Sequence, residues 1–362
     1  MKVTIVGTHG IPARYGGFET FAEQLAMACN KSGIEVTVIN EKMNPAGPLP
    51  DGISVKSSFY NKRRNPLLFY KDSLKKAGET DIILVCGVGG GLYYPVRGKS
   101  RTRIVTCVDG LEHLRKRYKP WERLFIYWLQ KRVAWRSHAV VADAEGIARY
   151  WKGRFPKATK RVKIIAYGAG EPVPSKDSIL KECLVRPREY FLVVARLVPE
   201  NNIQMIIEAF NSYIGSKKLV IVGPLDSSGY VRKLERMANE KVLFTDGNYE
   251  REFLDTLRRN CFLYIHGHSI GGTNPSLLEA MAAGCAVICH DNEFNREVTD
   301  KGQMYFKSKM DLAIMLNLLE HKAGDMQSLR ERAVMRVRNE YSWEKICEQY
   351  IHLFNSLRTK SR

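Results

Sequence analysis

Val3-Thr4-Ile5-Val6-Gly7 and, one helix further on, Ile34-Glu35-Val36-Thr37-Val38-Ile39 decide the fold. Each is a short apolar run of strand length, and the first ends on a glycine. Between them Phe18, Phe21, Leu25 and Ala28 recur at spacings of three and four, which predicts a helix over Gly17 to Lys31. Gly33 stops that helix. Strand, helix and strand in this order form a βαβ unit, the building block of a parallel sheet.

Outward from this unit the alternation continues. Strands are expected at residues 82–86, 104–108 and 139–142, with helices over 66–77 and 120–136. Residues 40–57 read as a polar connection. After Ile164-Ile165-Ala166-Tyr167-Gly168 a linker-like segment, residues 171–178, carries Pro172 and Pro174, and the pattern restarts. Strands at 190–194, 218–222, 242–244, 262–265 and 286–290 alternate with helices at 203–213, 251–260 and 275–283. The expected fold class is α/β, with two doubly wound Rossmann-like domains facing across a cleft. Residues 1–170 form the first and 171–340 the second, and a C-terminal helix over 341–362 packs back on the first. Open parallel sheets take ligands beyond the carboxyl ends of their strands, so the site is expected there.

Bulk properties narrow the partners. The 362-residue chain carries 57 Lys and Arg against 38 Asp and Glu, a formal charge of +19. That excess favours nucleic acid, phosphorylated ligands or an acidic membrane surface. The eight cysteines form no Cys-x-x-Cys pair and no histidine pair completes a zinc pattern, so they read as reduced core thiols of a cytoplasmic protein. Met1 leads straight into a strand, which leaves no room for a signal peptide. No window holds about 18 uncharged apolar residues, so membrane contact is expected to be peripheral.

Four segments carry chemistry. The first, Gly7-Thr8-His9-Gly10-Ile11-Pro12-Ala13-Arg14-Tyr15-Gly16-Gly17-Phe18-Glu19-Thr20, sets glycines and polar side chains between a strand and a helix. Gly16-Gly17 leaves the helix N–H groups open to an anion. The segment matches neither the dinucleotide fingerprint nor the GxxxxGK[ST] loop, which weakens dehydrogenase and NTPase readings. The second is Asp109-Gly110-Leu111-Glu112, where Asp109 and Glu112 are candidate acid/base or hydroxyl-orienting groups. Helix capping by Asp109 is the alternative. In the third, Arg196 follows a strand, placed to grip a phosphate. The fourth runs from His266 to Gly284. In it Gly271-Gly272-Thr273-Asn274 precedes a helix that starts at Pro275, and Glu279 lies one turn in. No Asp-x-Asp occurs, so a bridging divalent metal is not indicated, and no separate cofactor is expected.

Arg196-Leu197-Val198-Pro199-Glu200, Gly223 and Pro275-Ser276-Leu277-Leu278-Glu279-Ala280-Met281-Ala282-Ala283-Gly284 resemble the donor-binding half of retaining GT-B-fold glycosyltransferases. The segment from Gly7 to Thr20, with Asp109-Gly110-Leu111-Glu112 and Gly271 to Pro275, is similar to a bacterial subgroup that includes rhamnosyltransferases of capsule and cell-wall polysaccharide assembly. The resemblance implies that Gly16 and Gly17 border the donor phosphates, that Arg196 neutralises the diphosphate and that Glu279 binds the ribose. The loop with Gly271, Gly272, Thr273 and Asn274 then holds the sugar and phosphates, while His9, Arg14, Tyr15 and Glu19 are the acceptor-side candidates. It also implies transfer of rhamnose from dTDP-L-rhamnose to a lipid-linked or growing oligosaccharide acceptor. A UDP- or GDP-sugar hexosyltransferase is the alternative, and a GT-B-fold sugar-nucleotide epimerase a more distant one. Two positions depart from the wider family: Gly271 replaces an acid eight residues before Glu279, and Asn201 replaces a lysine.

The charge excess is partly accounted for by residues 113–136, where cations mix with large apolar groups. Trp121, Leu124, Phe125, Trp128 and Leu129 share one helical face, a pattern that suits a helix lying on anionic lipid. A core helix with a solvated basic flank is the competing reading. A lipid-linked acceptor would bring the enzyme to the inner face of the cytoplasmic membrane, and nucleic acid is not expected as a partner.

Overall fold

The computed structural model describes residues 1–13, 16–42, 51–98, 100–108, 110–114, 118–246, 250–320 and 323–359. The chain divides into two compact units, Met1–Gly168 with Trp343–Arg362, and Ala169–Ser342.

The first unit opens with β1 (Lys2–Val6), α1 (Gly17–Lys31), β2 (Glu35–Asn40) and β3 (Ile53–Ser57). It continues through α2 (Pro66–Lys76), β4 (Ile82–Cys86), β5 (Arg103–Val108), α3 (Pro120–Arg136), β6 (Ala139–Ala142), α4 (Glu145–Arg154) and β7 (Val162–Ile164). Its seven strands pair in the order β3-β2-β1-β4-β5-β6-β7, every pair parallel. The central strand β4 is Ile-Ile-Leu-Val-Cys with all five residues buried, as a strand covered on both faces must be.

The second unit holds α5 (Asp177–Glu182), β8 (Tyr190–Val194), α6 (Ile203–Phe210), β9 (Lys218–Val222), α7 (Gly229–Met237), β10 (Val242–Thr245) and α8 (Arg251–Asn260). Then come β11 (Leu263–His266), α9 (Pro275–Ala282), β12 (Val287–His290), α10 (Glu293–Thr299), β13 (Met304–Phe306), α11 (Lys309–Leu319) and α12 (Ala323–Glu340). Its sheet order is β10-β9-β8-β11-β12-β13, again parallel throughout. Both sheets turn back beside their first strand, the doubly wound arrangement.

The last helix, α13 (Trp343–Thr359), packs on α1 within the first unit. Ile346, Cys347, Tyr350, Leu353 and Phe354 join the core built by Phe21, Leu25 and β1, and the Phe21 and Tyr350 rings lie 4.9 Å apart. The stretch read as a polar connection contains β3, an edge strand. The helix expected to reach Tyr213 ends at Phe210.

The face assignment on α3 needs one correction. Trp121, Leu124, Phe125 and Trp128 are exposed together with Trp135, but Leu129 is buried with Gln130, Val133 and Ala134 on the opposite side. The α3 arginines fix this orientation. Arg132 donates to the Gly91 and Leu92 carbonyls and Arg136 to that of Tyr94. Among the described residues no helix is long and apolar enough to cross a membrane.

Candidate active site

In the second unit three segments meet at the carboxyl edge of the sheet. The turn after β8 exposes Arg196, whose carbonyl accepts from Asn201 Nδ2 at 2.8 Å. Asn202, at φ +53°, donates through its own amide to the Gly267 carbonyl at 2.8 Å. Ser269 closes the clamp, with its N–H and hydroxyl both donating to the Glu200 carbonyl at 3.0 and 2.8 Å. The turn and the loop after β11 are therefore one construction. It also accounts for Asn201, which is buried and holds the turn from within.

The same loop delivers the start of α9. Asn274 caps it, accepting from the Ser276 N–H at 3.0 Å, and Pro275 fills the first helical position, where no N–H is needed. Asn274 thus spends its side-chain oxygen on the helix. Thr273 is buried, and Gly271 and Gly272 are partly exposed. Gly271 has a φ of +153°, where side-chain-bearing residues are strained, and a Cβ there would meet nothing within 4 Å. Backbone conformation, not crowding, favours glycine over an acid at this position.

Glu279 lies in the second turn of α9 with its side chain about a third exposed. Its Oε2 accepts from Arg258 Nη2 at 2.5 Å. Arg258, on α8, is buried and was not singled out by the sequence. Leu257-Arg258-Arg259-Asn260 has the look of a solvated basic helix end. The available signal was periodicity, since Arg258 follows Leu254 by four residues and so shares its buried face.

Nearby, His266 ends β11 fully buried, its ring stacked on His268 at 4.3 Å. Burial, with His268 and His290 close by, holds its pKa well below the usual histidine value. Among the described residues no group of three or more His, Cys, Asp or Glu side chains is placed to hold a metal ion.

The first unit arranges its glycine loop differently. The His9 N–H donates to Glu19 Oε1 at 2.7 Å, and Asn40 bonds both the N–H and the carbonyl of Ile11, at 3.0 and 2.7 Å. Glu19 is only 4% exposed, so its carboxylate faces the loop backbone. His9 Nδ1 lies 3.1 Å from Glu41. Gly16, at φ +117°, precedes α1, whose first turn has no side-chain cap among the described residues. A Cβ at Gly16 would collide with Glu19 Oε2. Arg14 and Tyr15 lie outside the described residues.

Asp109 also lies outside them. Glu112, in a short 3₁₀ turn over Glu112–Leu114, accepts from the Tyr118 hydroxyl at 3.0 Å. His113 beside it contacts Gln130 at 3.3 Å and the Tyr150 hydroxyl at 3.1 Å. Burial, then Arg154 and Arg123, push its pKa down. All eight cysteines are free, and all but Cys183 are buried.

The relationships to known proteins agree with this geometry. Residues 15–169 match the family described as Glycosyltransferase Family 4, and residues 178–336 match Glycosyl transferases group 1. The chain belongs to the GT-B glycosyltransferases, one family domain in each half. A probable sucrose-phosphate synthase of Thermosipho melanesiensis is 26% identical over 172 residues, which span 45% of this chain and 40% of that relative. Among solved structures, sucrose-phosphate synthase from Thermosynechococcus elongatus superposes with a TM-score of 0.80 at 15% identity, covering 99% of both chains. Anabaena HepE in complex with UDP and glucose gives 0.74 at 15% identity, covering 98% of this chain and all of that one.

Proposed function

We propose that the protein transfers a sugar from a nucleoside diphosphate, with retention and without a metal, to a lipid-linked or growing surface-polysaccharide acceptor. The observation that carries the reading is the clamp that sets Arg196, the N-terminus of α9 and Glu279 on one edge of one sheet. No described acid neutralises the exposed Arg196 guanidinium, which suits it to a diphosphate. The N-terminus of α9 adds the partial positive charge of its dipole, and Glu279 accepts from ribose hydroxyls.

The chemistry follows from that charge distribution. As the bond from the sugar's anomeric carbon to the diphosphate lengthens, negative charge grows on the leaving oxygen, where Arg196 and the positive end of the α9 dipole oppose it. The acceptor hydroxyl attacks on the face the diphosphate leaves, and its proton departs with assistance from Asp109 or Glu112. In the first unit Gly16 and Gly17 are the anion-binding candidates at the start of α1, His9, Arg14 and Tyr15 the acceptor-side ones, and Glu19 holds the loop that carries them.

Rhamnose from dTDP-L-rhamnose is the donor favoured by the Gly7 to Thr20 segment. A UDP-hexose is the second reading, favoured by the UDP and glucose bound to HepE. The family matches are to transferases and lend the epimerase alternative no support. A thermal-shift panel of dTDP-, UDP- and GDP-sugars tests the assignment. The largest rise is expected with dTDP-L-rhamnose. A larger rise with UDP-glucose replaces the donor, and no rise with any of them removes the enzyme reading.

The exposed stripe on α3 supports docking on an anionic membrane at its cytoplasmic face. Trp121, Leu124, Phe125, Trp128 and Trp135 form an apolar band, with Lys119 and Lys131 exposed beside it. Each basic residue near such a surface contributes about 1 kcal/mol before screening. Co-sedimentation with phosphatidylglycerol vesicles, but not with phosphatidylcholine alone, is expected. Trp121→Ser with Leu124→Ser should abolish it.

A further inference from the structure

Arg258 is a charged side chain only 3% exposed, yet it lies directly beneath the carboxylate assigned to the donor. One end of its guanidinium donates to Glu279 Oε2 at 2.5 Å and the other to Asp255 Oδ1 at 3.2 Å. Asp255 is itself anchored, its second oxygen accepting the Val173 N–H at 3.1 Å. The Arg258 backbone is held as well, its carbonyl accepting from the thiols of Cys261 and Cys285 at 3.2 and 3.1 Å. A run of bonds thus passes from the 173 backbone through Asp255 and Arg258 to Glu279.

Burying a cation is costly unless it is paired and hydrogen-bonded, and apolar residues can often replace buried ion pairs without loss of stability. Packing alone therefore does not call for a guanidinium here. Its geometry does something apolar packing cannot. A planar fork anchored at Asp255 fixes the point at which its other arm grips Oε2, and so restricts the rotamers open to Glu279. Glu279 is about a third exposed while Arg258 is enclosed, so one oxygen is committed inward and Oε1 is left for a ligand.

We infer that Arg258 is a positioning residue for the donor, locking Glu279 so that Oε1 faces a sugar hydroxyl of the bound nucleotide. This rests on the donor reading of Glu279 given above. Without the lock, Glu279 samples several rotamers, and the preference for a hydroxyl-bearing nucleotide falls even though the acid remains.

The test measures a ratio within each protein. Dissociation constants are determined for UDP and dTDP, and for the 3′-deoxy counterpart of whichever binds better. The wild type is expected to favour the hydroxyl-bearing nucleotide by about tenfold, the equivalent of about 1.4 kcal/mol. Arg258→Met should bring the ratio close to one. Arg258→Lys, whose single ammonium cannot hold both carboxylates in one plane, should cut it at least threefold and serves if the Met variant does not fold. Wild-type discrimination that persists in a folded Arg258 variant while Glu279→Gln abolishes it overturns the inference and leaves the donor reading intact. Failure of the wild type to bind either nucleotide overturns both.

Discussion

The glycine loop after β1 and the glycine loop after β11 look alike as sequence, each followed by a helix that carries an acid near its start. They use that acid in opposite directions. Glu19 is 4% exposed and accepts a loop N–H, whereas the Glu279 side chain is 36% exposed and is gripped from below by Arg258. The first loop is tied by side chains reaching from beneath it, Glu19 and Asn40. The second is tied by the Asn202, Asn292 and Asn295 amides, which donate to its Gly267 and His268 carbonyls, and by Ser269, which donates to the Glu200 carbonyl. Both loops are therefore held from neighbouring elements, and what separates them is the helix acid, spent on the loop backbone at Glu19 and left partly open at Glu279.

The largest effect expected from this contrast is at Arg196. Because the guanidinium is exposed and lacks a described ionic partner, Arg196→Ala should leave the thermal midpoint nearly unchanged. Loss of a charge-assisted bond of about 1.5–3 kcal/mol should lower kcat/KM for the donor roughly ten- to hundredfold. A variant with unaltered kinetics would break the assignment of the second loop to the donor.

Next comes Glu19→Ala, which strands the His9 N–H and should lower stability by about 1–3 kcal/mol in urea unfolding. An unchanged urea midpoint would mean that Glu19 faces outward as Glu279 does, and the distinction between the loops would vanish.

A paired substitution sharpens it further. Gly16→Ala forces a Cβ against Glu19 at positive φ and is expected to cost about 1–3 kcal/mol. Gly271→Ala meets open space and should fall at the low end of that range, near 1 kcal/mol. Chemical denaturation of both variants decides the order, and the reverse order contradicts the account.

The smallest effect lies outside the loops. Burial, with Arg103, Arg97 and Arg161 nearby, lowers the His138 pKa from 6.5 to about 4, and its Nδ1 accepts the Ile104 N–H. Below 6.5 the unfolded chain takes up a proton that the folded chain refuses. The contribution of His138 is therefore complete above 6.5 and is lost as pH falls towards about 4. His138→Asn, which keeps an acceptor, should flatten that acid limb in the first unit alone, read by hydrogen exchange of β5 and β6. Equal flattening in β11 and β12, where His266 is the buried histidine, would show that the two units do not respond separately.

Much of this was legible in the sequence because both sheets are built from strands buried on both faces. Ile82-Ile83-Leu84-Val85-Cys86 and Tyr190-Phe191-Leu192-Val193-Val194 have no other reading. Edge strands were not so plain. Ile53-Ser54-Val55-Lys56-Ser57 has only two apolar residues because one side of it faces solvent, and Met304–Phe306 is three residues long. Among the site residues, Arg196 and Glu279 were marked by strand ends and a proline-started helix. Arg258 was not, since its meaning depends on Glu279, twenty-one residues later, and on the burial of α8. The α3 stripe was visible by period, but Leu129 was placed on the wrong side because period alone cannot tell which edge of an apolar band turns inward.

The return of α13 to the first unit bears on how the protein is made. On the ribosome residues 1–168 emerge first, but the hydrophobic layer over α1 waits for Tyr350 and Phe354, which leave the exit tunnel after the whole second unit. At about 5–20 residues per second that is a delay of roughly ten to forty seconds, during which Phe21 and Leu25 lack their cover. The second unit has no such wait and can close on its own segment. A chain released before residue 343 would thus carry a finished second unit and an unfinished first one, the form most open to chaperones and proteases.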